Sequence, residues 1–452
     1  MTAPTIRTYG NFKNARRQLI GSLGPMGVGA ATIALVAAFF AMVTAGLGAG
    51  LVVGGIGTLI VVPMAVQIDG YTVAERILRR LLFARGQSKR QTIYRSGIIS
   101  PLPGSHRLPG LMWKSRVMDV ETGRADWPTV GVVVYPGSPR TFAVTLRCDN
   151  SGTDLVDPET VDMWVANTGA WLQALGAEPD LLQAQVTTET TPDPGTALAR
   201  TVNAQIHPDA PALAKEVLTE IVDTYPQAAA SSDTRVTLVF AAPRPRRPRT
   251  GGPARRVSDE EMCQRIAGRL AGLAQRLRGT GAGEVMPLSA ADLAMVCRAA
   301  YDPAAASDLS RVRTSAAVSW ADCGPVTAEE HWDYYRHDSG VSVSWGLAAV
   351  PRGVLHSTVL PRMMAADLGV LRKRVTITYR PLSPAQTAHA VDTDVRDSQF
   401  RLGQRARPTA RDMAAVAAAK ATAIEEASGA GLVRFSLLFT ATVGCVDDLD
   451  LA

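Results

Sequence analysis

The feature that most constrains this chain is a long stretch without charge near its N-terminus. From Gly21 through Ile68 there is no Asp, Glu, Lys, Arg or His. One bilayer-spanning helix needs about 20 apolar residues, so the stretch is long enough for two. The glycine-rich break at Gly46–Gly50 favours a reversal of direction. The sequence therefore predicts one span at about Met26–Ala45 and a second at about Leu51–Ile68.

Small residues recur in this stretch at a spacing that is typical of close helix packing. Gly46 and Gly50 are four residues apart, and so are Gly50 and Gly54. Such spacing lets two helix backbones approach closely. The alternative is that these glycines only form the turn between the spans.

Basic residues flank the uncharged stretch on both sides. Residues 1–20 form a basic tail without any acid, and residues 69–97 are also basic, whereas the turn at 46–50 is uncharged. Positive charge is retained on the cytoplasmic side of a membrane. We therefore predict a multi-pass protein of the cytoplasmic membrane with both termini in the cytoplasm. The predicted membrane-flanking basic residues are Arg16, Arg17, Arg76, Arg79 and Arg80.

The uncharged stretch has two other interpretations, an export signal and a buried helical hairpin. Arg16 and Arg17 ahead of an apolar run could form a twin-arginine export signal. A signal has a shorter apolar region that ends in a small-residue cleavage site, which disfavours export here. A buried helical hairpin of a soluble protein is the second alternative, but a core helix is rarely apolar all round for this length.

Residues 69–97 predict a basic amphipathic segment beside the membrane. Arginines lie mostly between the apolar side chains of this segment, a pattern typical of a helix at a membrane surface or packed on a soluble body. The apolar positions between Tyr71 and Phe83 are Val73, Ile77, Leu78, Leu81 and Leu82.

The rest of the chain has the composition of a folded α+β protein. Hydrophobic residues make up 46% and charged residues 19% of the sequence, which excludes a disordered chain. A Pro- and Arg-rich segment at 243–257 predicts a linker between two α/β subdomains, at 98–242 and 258–452. A basic strip that binds lipid or nucleic acid is the other interpretation of this segment.

Both halves are predicted to alternate strands and helices, and their shared order favours a duplication. In the first half we predict a hairpin of Thr129–Tyr135 with Thr141–Arg147. A capped helix is predicted to start at Asp157 and Pro158. Two further strands are predicted at Leu182–Thr190 and Arg235–Ala241. In the second half we predict helices that start at Ser258, Ser289 and Ser383 or run through Ala410–Ala427, and strands at Val341–Val350, Arg374–Tyr379 and Val433–Val443.

Sequence motifs for catalysis do not occur. The phosphate loop GxxxxGK[ST] and the nucleophile motif GxSxG are missing. Six histidines and five cysteines show no paired metal spacing, and the thiols are predicted to be buried and reduced. We therefore expect no catalytic residue, no metal and no cofactor. The alternative is a membrane-bound enzyme for a lipid or cell-wall precursor, with a pocket near His331, Asp333 and His337.

One segment, residues 331–338, concentrates aromatic and charged side chains. Tyr, Trp and Arg dominate the energetics of protein interfaces, so the segment predicts a partner-binding surface. The alternative is an aromatic helix that packs on a sheet. The candidate interface residues are Trp332, Tyr334, Tyr335 and Arg336.

The chain resembles components of secretion machines. The opening RTYGN, the two predicted spans and GYTVAERILRRLLFARGQSKRQTIYRSG resemble the PrgI-type membrane module of conjugative and type IV secretion systems. The rest resembles an actinobacterial membrane-protein family found near conjugation-like genes, on RLPGLMWKSRV, DPETVDMWVANTGAWLQALG, TTPDPG, AYDPAAA, HWDYYRHDSGVSVSWGL and GLVRFSLLFTATV. The soluble part also resembles the N-terminal domain of the type IV secretion assembly ATPase, although the motor with its phosphate loop is missing.

These resemblances imply a non-catalytic, membrane-anchored structural subunit of a conjugative, type IV-like secretion or DNA-transfer apparatus. Its partners would be membrane lipid, a separate ATPase and other membrane subunits, with homo-oligomerisation left open. A competing resemblance, on VGVVVYP, TFAVTLRC and WVANTGAWLQAL, is to EccE and implies a membrane component of type VII secretion. A DNA-binding membrane tether that uses the arginines of the 243–257 segment is a further hypothesis.

Overall fold

The computed structural model describes residues 8–9, 25–68, 70–100, 108–150, 152, 156–192, 202, 204–207, 209–224, 230–243, 256–306, 318–350, 355–356, 360–367, 369–404 and 409–452. The chain divides into two compact units. We name the first, Met1–Ile93 with Leu347–Ser357, the helical unit. The second, Tyr94–Gly346 with Thr358–Ala452, is named the body.

Two apolar helices dominate the helical unit, as predicted. Helix α1 spans Pro25–Ala45 and helix α2 spans Leu47–Ala65, with Gly46 between them at a φ of 88°. Helix α2 begins and ends earlier than predicted. Only a glycine tolerates such a φ without strain, so one residue suffices for the break. At the other end Val66 turns extended and Gln67–Ile68 pairs with Tyr71–Thr72.

Small residues hold α1 and α2 together as an antiparallel pair. A Cβ placed on Gly57 would lie 2.7 Å from Cβ of Ala34, and one on Gly50 would lie 2.6 Å from Cβ of Met42. No side chain fits there, so the backbones pack closely because both positions are glycine. Both interpretations of the glycines therefore hold in part: Gly46 forms the turn, and Gly50 and Gly57 form the packing seam.

The remainder of the helical unit is short. Helix α3 spans Val73–Ser88, and it starts with a reciprocal capping box in which the Thr72 hydroxyl accepts from Glu75 N and the Glu75 carboxylate accepts from Thr72 N. This arrangement satisfies two backbone donors of the first turn. Two small antiparallel pairs complete the unit, β1 (Thr8–Tyr9) with β14 (Leu355–His356) and β2 (Gln67–Ile68) with β3 (Tyr71–Thr72).

The described strands of the body lie in one antiparallel sheet of 12 strands, in the order β4-β11-β12-β13-β16-β15-β8-β9-β7-β6-β5, with β10 also paired to β7. Strands from both predicted subdomains therefore form a single layer. Their bounds are β4 Ile93–Arg95, β5 Arg116–Glu121, β6 Thr129–Tyr135, β7 Thr141–Asp149, β8 Leu181–Pro192, β9 Ala230–Ala241, β10 Glu284–Pro287, β11 Thr327–Glu330, β12 Tyr335–His337, β13 Gly340–Gly346, β15 Val370–Pro381 and β16 Val433–Val443.

Read inward from β5 at one edge, and from β11 beside the other edge strand β4, the sheet repeats one order of strands. Strands β5 to β9 lie in the order 5-6-7-9-8, and β11, β12, β13, β15 and β16 lie in the order 11-12-13-16-15. The two sets meet where β8 pairs antiparallel with β15, from Ala184 opposite Tyr379 to Thr190 opposite Lys373. The fourth strand of each set thus forms the centre of the sheet.

Seven helices of the body are described, and two of them close its main hydrophobic core. Helices α4 and α6 cover the apolar face of β5–β9, where Phe142, Leu238 and Phe240 are almost fully buried. Helix α6 follows the Pro- and Arg-rich segment, yet its buried stripe lies in this core. The packing therefore does not divide at 243–257. The helices are α4 Pro158–Ala177, α5 Ala212–Thr224, α6 Asp259–Leu277, α7 Ala290–Tyr301, α8 Pro361–Met364, α9 Pro384–Gly403 and α10 Ala410–Ala427.

Most of the predicted elements are confirmed, and the differences have local causes. The β6–β7 hairpin, the starts of α4, α6, α7 and α9, helix α10 and strand β16 agree with the expectation. The strand predicted at Val341–Val350 ends at Gly346, where its pairing with β16 stops. Strands β5, β10, β11 and β12 were not predicted because they are short and two of them carry several charged residues.

Gly131 offers a test of how tightly α7 packs on the sheet. A Cβ at Gly131 would lie 2.6 Å from Ala290 N, at the start of α7. We expect Gly131→Ala to lower the free energy of unfolding by about 1–3 kcal/mol, because the helix backbone must shift. Gly268→Ala is the control, since nothing lies within 4 Å of its Cβ in α6, and it should raise that free energy by up to about 1 kcal/mol. Urea denaturation of the full chain, followed by tryptophan fluorescence, measures both; equal effects would contradict the packing.

Candidate functional site

The apolar side chains of α1 and α2 point outward rather than into a core. Phe40 is 68% exposed and Leu59 is 76% exposed, and among the described residues of the two helices few are buried. Both helices are long and apolar enough to cross a membrane, and by length and composition a signal sequence would pass the same test. An exposed apolar surface of this extent marks a contact with lipid or protein.

Helix α3 separates basic and apolar side chains onto two faces. At 100° per residue, Arg76, Arg79 and Arg80 project to one side. Leu78, Leu81 and Leu82 project to the other side, and all of these side chains are exposed. The Arg79 guanidinium lies 4.3 Å from the ring centre of Tyr71, and Arg76 donates to the Ile68 carbonyl over 3.5 Å. The predicted residues Arg16 and Arg17 lie outside the described residues.

The aromatic segment 331–338 is a β-hairpin, so the alternative of an aromatic helix is wrong. Strand β11 pairs with β12, and β12 pairs in turn with β13. His331 N donates to the Tyr334 carbonyl over 3.0 Å and closes the turn. Pairing with β11 and β13 determines the backbone conformation of this segment. The sequence of a short segment alone does not reveal such pairing. We name Thr327–His337 the aromatic hairpin.

The four candidate interface residues lie together on the aromatic hairpin but differ in exposure. Arg336 is exposed, whereas Trp332, Tyr334 and Tyr335 are half-buried. His331 stacks on Tyr334 with 4.3 Å between ring centres. Burial, followed by the charge of Glu330, raises the pKa of Tyr335 to about 12, so its hydroxyl remains protonated. The hairpin therefore offers one exposed guanidinium beside partly covered rings.

His337 belongs to a buried hydrogen-bonded chain that sequence spacing did not reveal. Its Nε2 lies 2.7 Å from Oγ of Ser342, and its Nδ1 lies 2.6 Å from the Tyr301 carbonyl. Ser342 Oγ is also 2.8 Å from Oγ1 of Thr442. The imidazole is 3% exposed, and burial lowers the pKa of His337. These contacts satisfy both ring nitrogens of the buried histidine.

The centre of the sheet carries a buried charge network on one face. Glu189 of β8 accepts from Arg235 of β9 over 2.9 Å and from Arg374 of β15 over 2.9 Å, and it pairs with Arg372 at 3.0 Å. Asp233 adds a second carboxylate beside Arg235 at 2.9 Å. Sequence reasoning missed this network because β8 and β15 are distant in the chain. Only their register brings the charges together.

The network determines the ionisation of Glu189. Burial alone would raise the pKa of this carboxyl, but the charges of Arg374, Arg235 and Arg372 outweigh it and hold the pKa at about 2. Burial, followed by nearby arginines, lowers the pKa of Arg372. Among the described residues, no group of three or more His, Cys, Asp or Glu could hold a metal ion. The network joins strands β8, β9 and β15.

Removing the Glu189 charge should destabilise the body. We expect Glu189→Gln to lower the free energy of unfolding by about 3–5 kcal/mol, because three guanidinium groups lose their shared partner. Since the folded pKa lies below the unfolded value of about 4.3, the stabilisation is present above that value. It is lost as the pH falls towards about 2.

Denaturant unfolding of the full chain between neutral and acidic pH measures this effect. The control is Asp126→Asn, which removes the exposed partner of Arg124 and should leave the unfolding midpoint unchanged. A Glu189→Gln midpoint equal to that of the unsubstituted chain at neutral pH would show that the network contributes nothing.

Comparison with known proteins gives one partial match. The model of a family described as a domain of unknown function, DUF8461, matches residues 16–75. The matched range contains α1, α2 and the first residues of α3. No curated protein matches the sequence. The likeness is therefore confined to the apolar helices and their flanks.

Proposed function

We propose that this chain is a membrane-anchored, non-catalytic scaffold subunit. The exposed apolar surface of the paired helices α1 and α2 carries this proposal. Neither helix contains a charged residue, and exposing their outward apolar side chains to water would be costly. Because glycines let the two helices pack directly against each other, lipid alone can cover their remaining apolar surface.

Helix α3 extends the anchor along the membrane surface. Its leucines are exposed on one side, and Arg76, Arg79 and Arg80 project from the other. A helix of this kind lies in the interface plane, with its apolar face among acyl chains and its cations near anionic headgroups. Since basic residues flank both ends of the helix pair, both termini lie in the cytoplasm.

The body serves as a docking platform for other proteins. We assign the docking surface to the aromatic hairpin, because Trp332, Tyr334 and Tyr335 are half-buried rings beside the exposed Arg336. Aromatic residues and arginine dominate interface energies. From the sequence resemblance we propose that the body belongs to a type IV-like secretion or conjugation apparatus, whose separate motor ATPase binds this docking surface. An EccE-like role in type VII secretion is the alternative.

The body also supports an origin by duplication. Each half contributes five strands in one order, and the stretches that look alike in sequence, Val186–Pro192 and Val375–Pro381, lie in the equivalent strands β8 and β15. A two-fold arrangement of this kind places both halves in one sheet.

Membrane anchoring can be tested on the full chain with an N-terminal tag. We expect the tagged protein to remain in the membrane pellet after carbonate washing and to be released only by detergent. Leu35→Arg, in the middle of α1, should make the apparent free energy of membrane insertion less favourable by about 2.5–3.5 kcal/mol. The control Leu35→Phe should insert as the unsubstituted chain does. Loss of the tag by cleavage would indicate a signal sequence, and release by carbonate would refute the anchor.

Protease added to sealed spheroplasts should leave the body intact if it is cytoplasmic.

Partner docking can be tested by cross-linking in native membranes. We expect an ATPase with a GxxxxGK[ST] loop to be recovered with the unsubstituted chain. Arg336→Glu should reduce that recovery about tenfold, which corresponds to roughly 1.4 kcal/mol. Arg124→Glu is the control, because this exposed arginine lies in the turn between β5 and β6, near the other edge of the sheet. Equal recovery with both variants would remove the aromatic hairpin from the interface.

A further inference from the structure

The buried charge network at the centre of the sheet holds more positive than negative charge. Besides the contacts given above, Arg147 of β7 joins it, because its Nε lies 3.0 Å from Oδ1 of Asp233. Two carboxylates therefore face four guanidinium groups, those of Arg147, Arg235, Arg372 and Arg374. Arginine stays protonated in proteins. Among the described residues of the network, two positive charges thus remain uncompensated even when both carboxylates are ionised.

Charged groups beside the network have partners of their own. Lys373 lies on the opposite face of β15, since successive residues of a strand alternate, and it pairs with Asp367. Asp302 and Asp338 share Arg298, at 2.7 and 2.9 Å. This trio has one surplus carboxylate, but Asp338 also accepts from two backbone N–H groups. The surplus positive charge therefore stays with the network itself.

Arg372 has a donor that the network does not use. The residue is 4% exposed, and its Nη1 lies 3.0 Å from Oε1 of Glu189. Among the described residues, its buried Nε has no hydrogen-bond partner. Glu189 is already shared by three guanidinium groups. A buried donor without a partner costs free energy, and an acceptor that binds beside it recovers that cost.

Hydroxyl groups border the two arginines of β15. In the pairing of β15 with β16, Arg372 stands opposite Thr442 and Arg374 opposite Thr440, and residues paired in this way share a face of the sheet. Oγ1 of Thr440 lies 2.8 Å from Oγ of Ser344 on β13. Ser344 is exposed and Thr440 half-buried, and the side chain of Arg374 is 29% exposed. The row of polar groups therefore runs from a buried end at Arg372 to solvent.

We propose that Arg372, Arg374, Thr440 and Ser344 form a binding site for a phosphate-class oxyanion on this face of the sheet. A guanidinium donates two parallel N–H bonds to phosphate oxygens, and hydroxyl groups supply further donors. A phosphate monoester carries a charge of about −1.5 to −2 at neutral pH, which matches the two surplus positive charges. A carboxylate would neutralise only one of them.

An anion at this site strengthens the junction between the two halves of the body. Arg372 and Arg374 also hold Glu189, and the three residues connect β15 to β8. A ligand that binds the folded chain and not the unfolded chain stabilises the folded state. We therefore expect phosphate to raise the urea midpoint of the full chain above its value in chloride at the same ionic strength.

The experiment is equilibrium dialysis of the full chain, in a detergent without phosphate, against radiolabelled inorganic phosphate at constant ionic strength in chloride. We expect saturable binding of one phosphate per chain. Arg374→Gln should lower the affinity about tenfold, because it removes a charged hydrogen-bond donor. Arg372→Lys should lower it by a similar factor, because lysine keeps the charge but lacks the Nε–H and the planar fork.

The competitor glycerol 3-phosphate distinguishes two sources of the same chemistry. Displacement of the labelled phosphate assigns the site to phosphate monoesters, and the absence of displacement assigns it to the free ion. Both results retain the oxyanion site, because the labelled phosphate is bound in each.

The matched controls are Arg124→Gln in the turn between β5 and β6 and Arg76→Gln on α3, which should bind phosphate as the unsubstituted chain does. Failure of the unsubstituted chain to bind millimolar phosphate saturably would overturn the proposal, even if a variant does not fold. Loss of binding in Arg76→Gln with retention in Arg374→Gln would overturn it as well. The readout needs neither a membrane nor a protein partner, so its outcome is independent of the scaffold function.

Discussion

The pairing of β8 with β15, with Glu189 at its centre, is the interaction on which the body depends. The two strands come from different halves of the chain, yet one carboxylate holds three arginines across this junction. A buried pair is rarely more stabilising than apolar packing, but it is costly to break. The network thus favours a single register, since a slip by one residue would move Glu189 to the opposite face.

The same junction explains why a chain with two predicted subdomains has one sheet. Neither five-stranded set has its fourth strand at a free edge, because β8 and β15 pair with each other. An unpaired central edge would present a row of backbone donors and acceptors to other chains. Helix α6 adds a second tie, since it follows the 243–257 segment and buries its apolar stripe against β5–β9.

In the helical unit, by contrast with the body, many large apolar side chains are exposed. Its two apolar helices bury little beyond their mutual glycine seam, and the helix that follows them exposes both leucine and arginine. Apolar area of this kind is stable where water is replaced by lipid. In the body, half-buried rings lie beside the exposed Arg336 on the aromatic hairpin. The base of this hairpin is connected through Asp338 to Arg298.

The sequence by itself determined what depends on neighbouring residues. The uncharged stretch predicted α1 and α2, the capping residues Ser289 and Ser383 predicted the starts of α7 and α9, and two β-branched runs predicted the β6–β7 hairpin. These signals act within a few residues, so they are readable locally. Only the tertiary structure decided that residues 331–338 contain the turn and the second strand of a hairpin, and that Glu189 meets Arg374 across 185 positions. Such contacts depend on strand register and packing between distant segments, and no local pattern encodes them because each residue involved is equally compatible with a solvated surface.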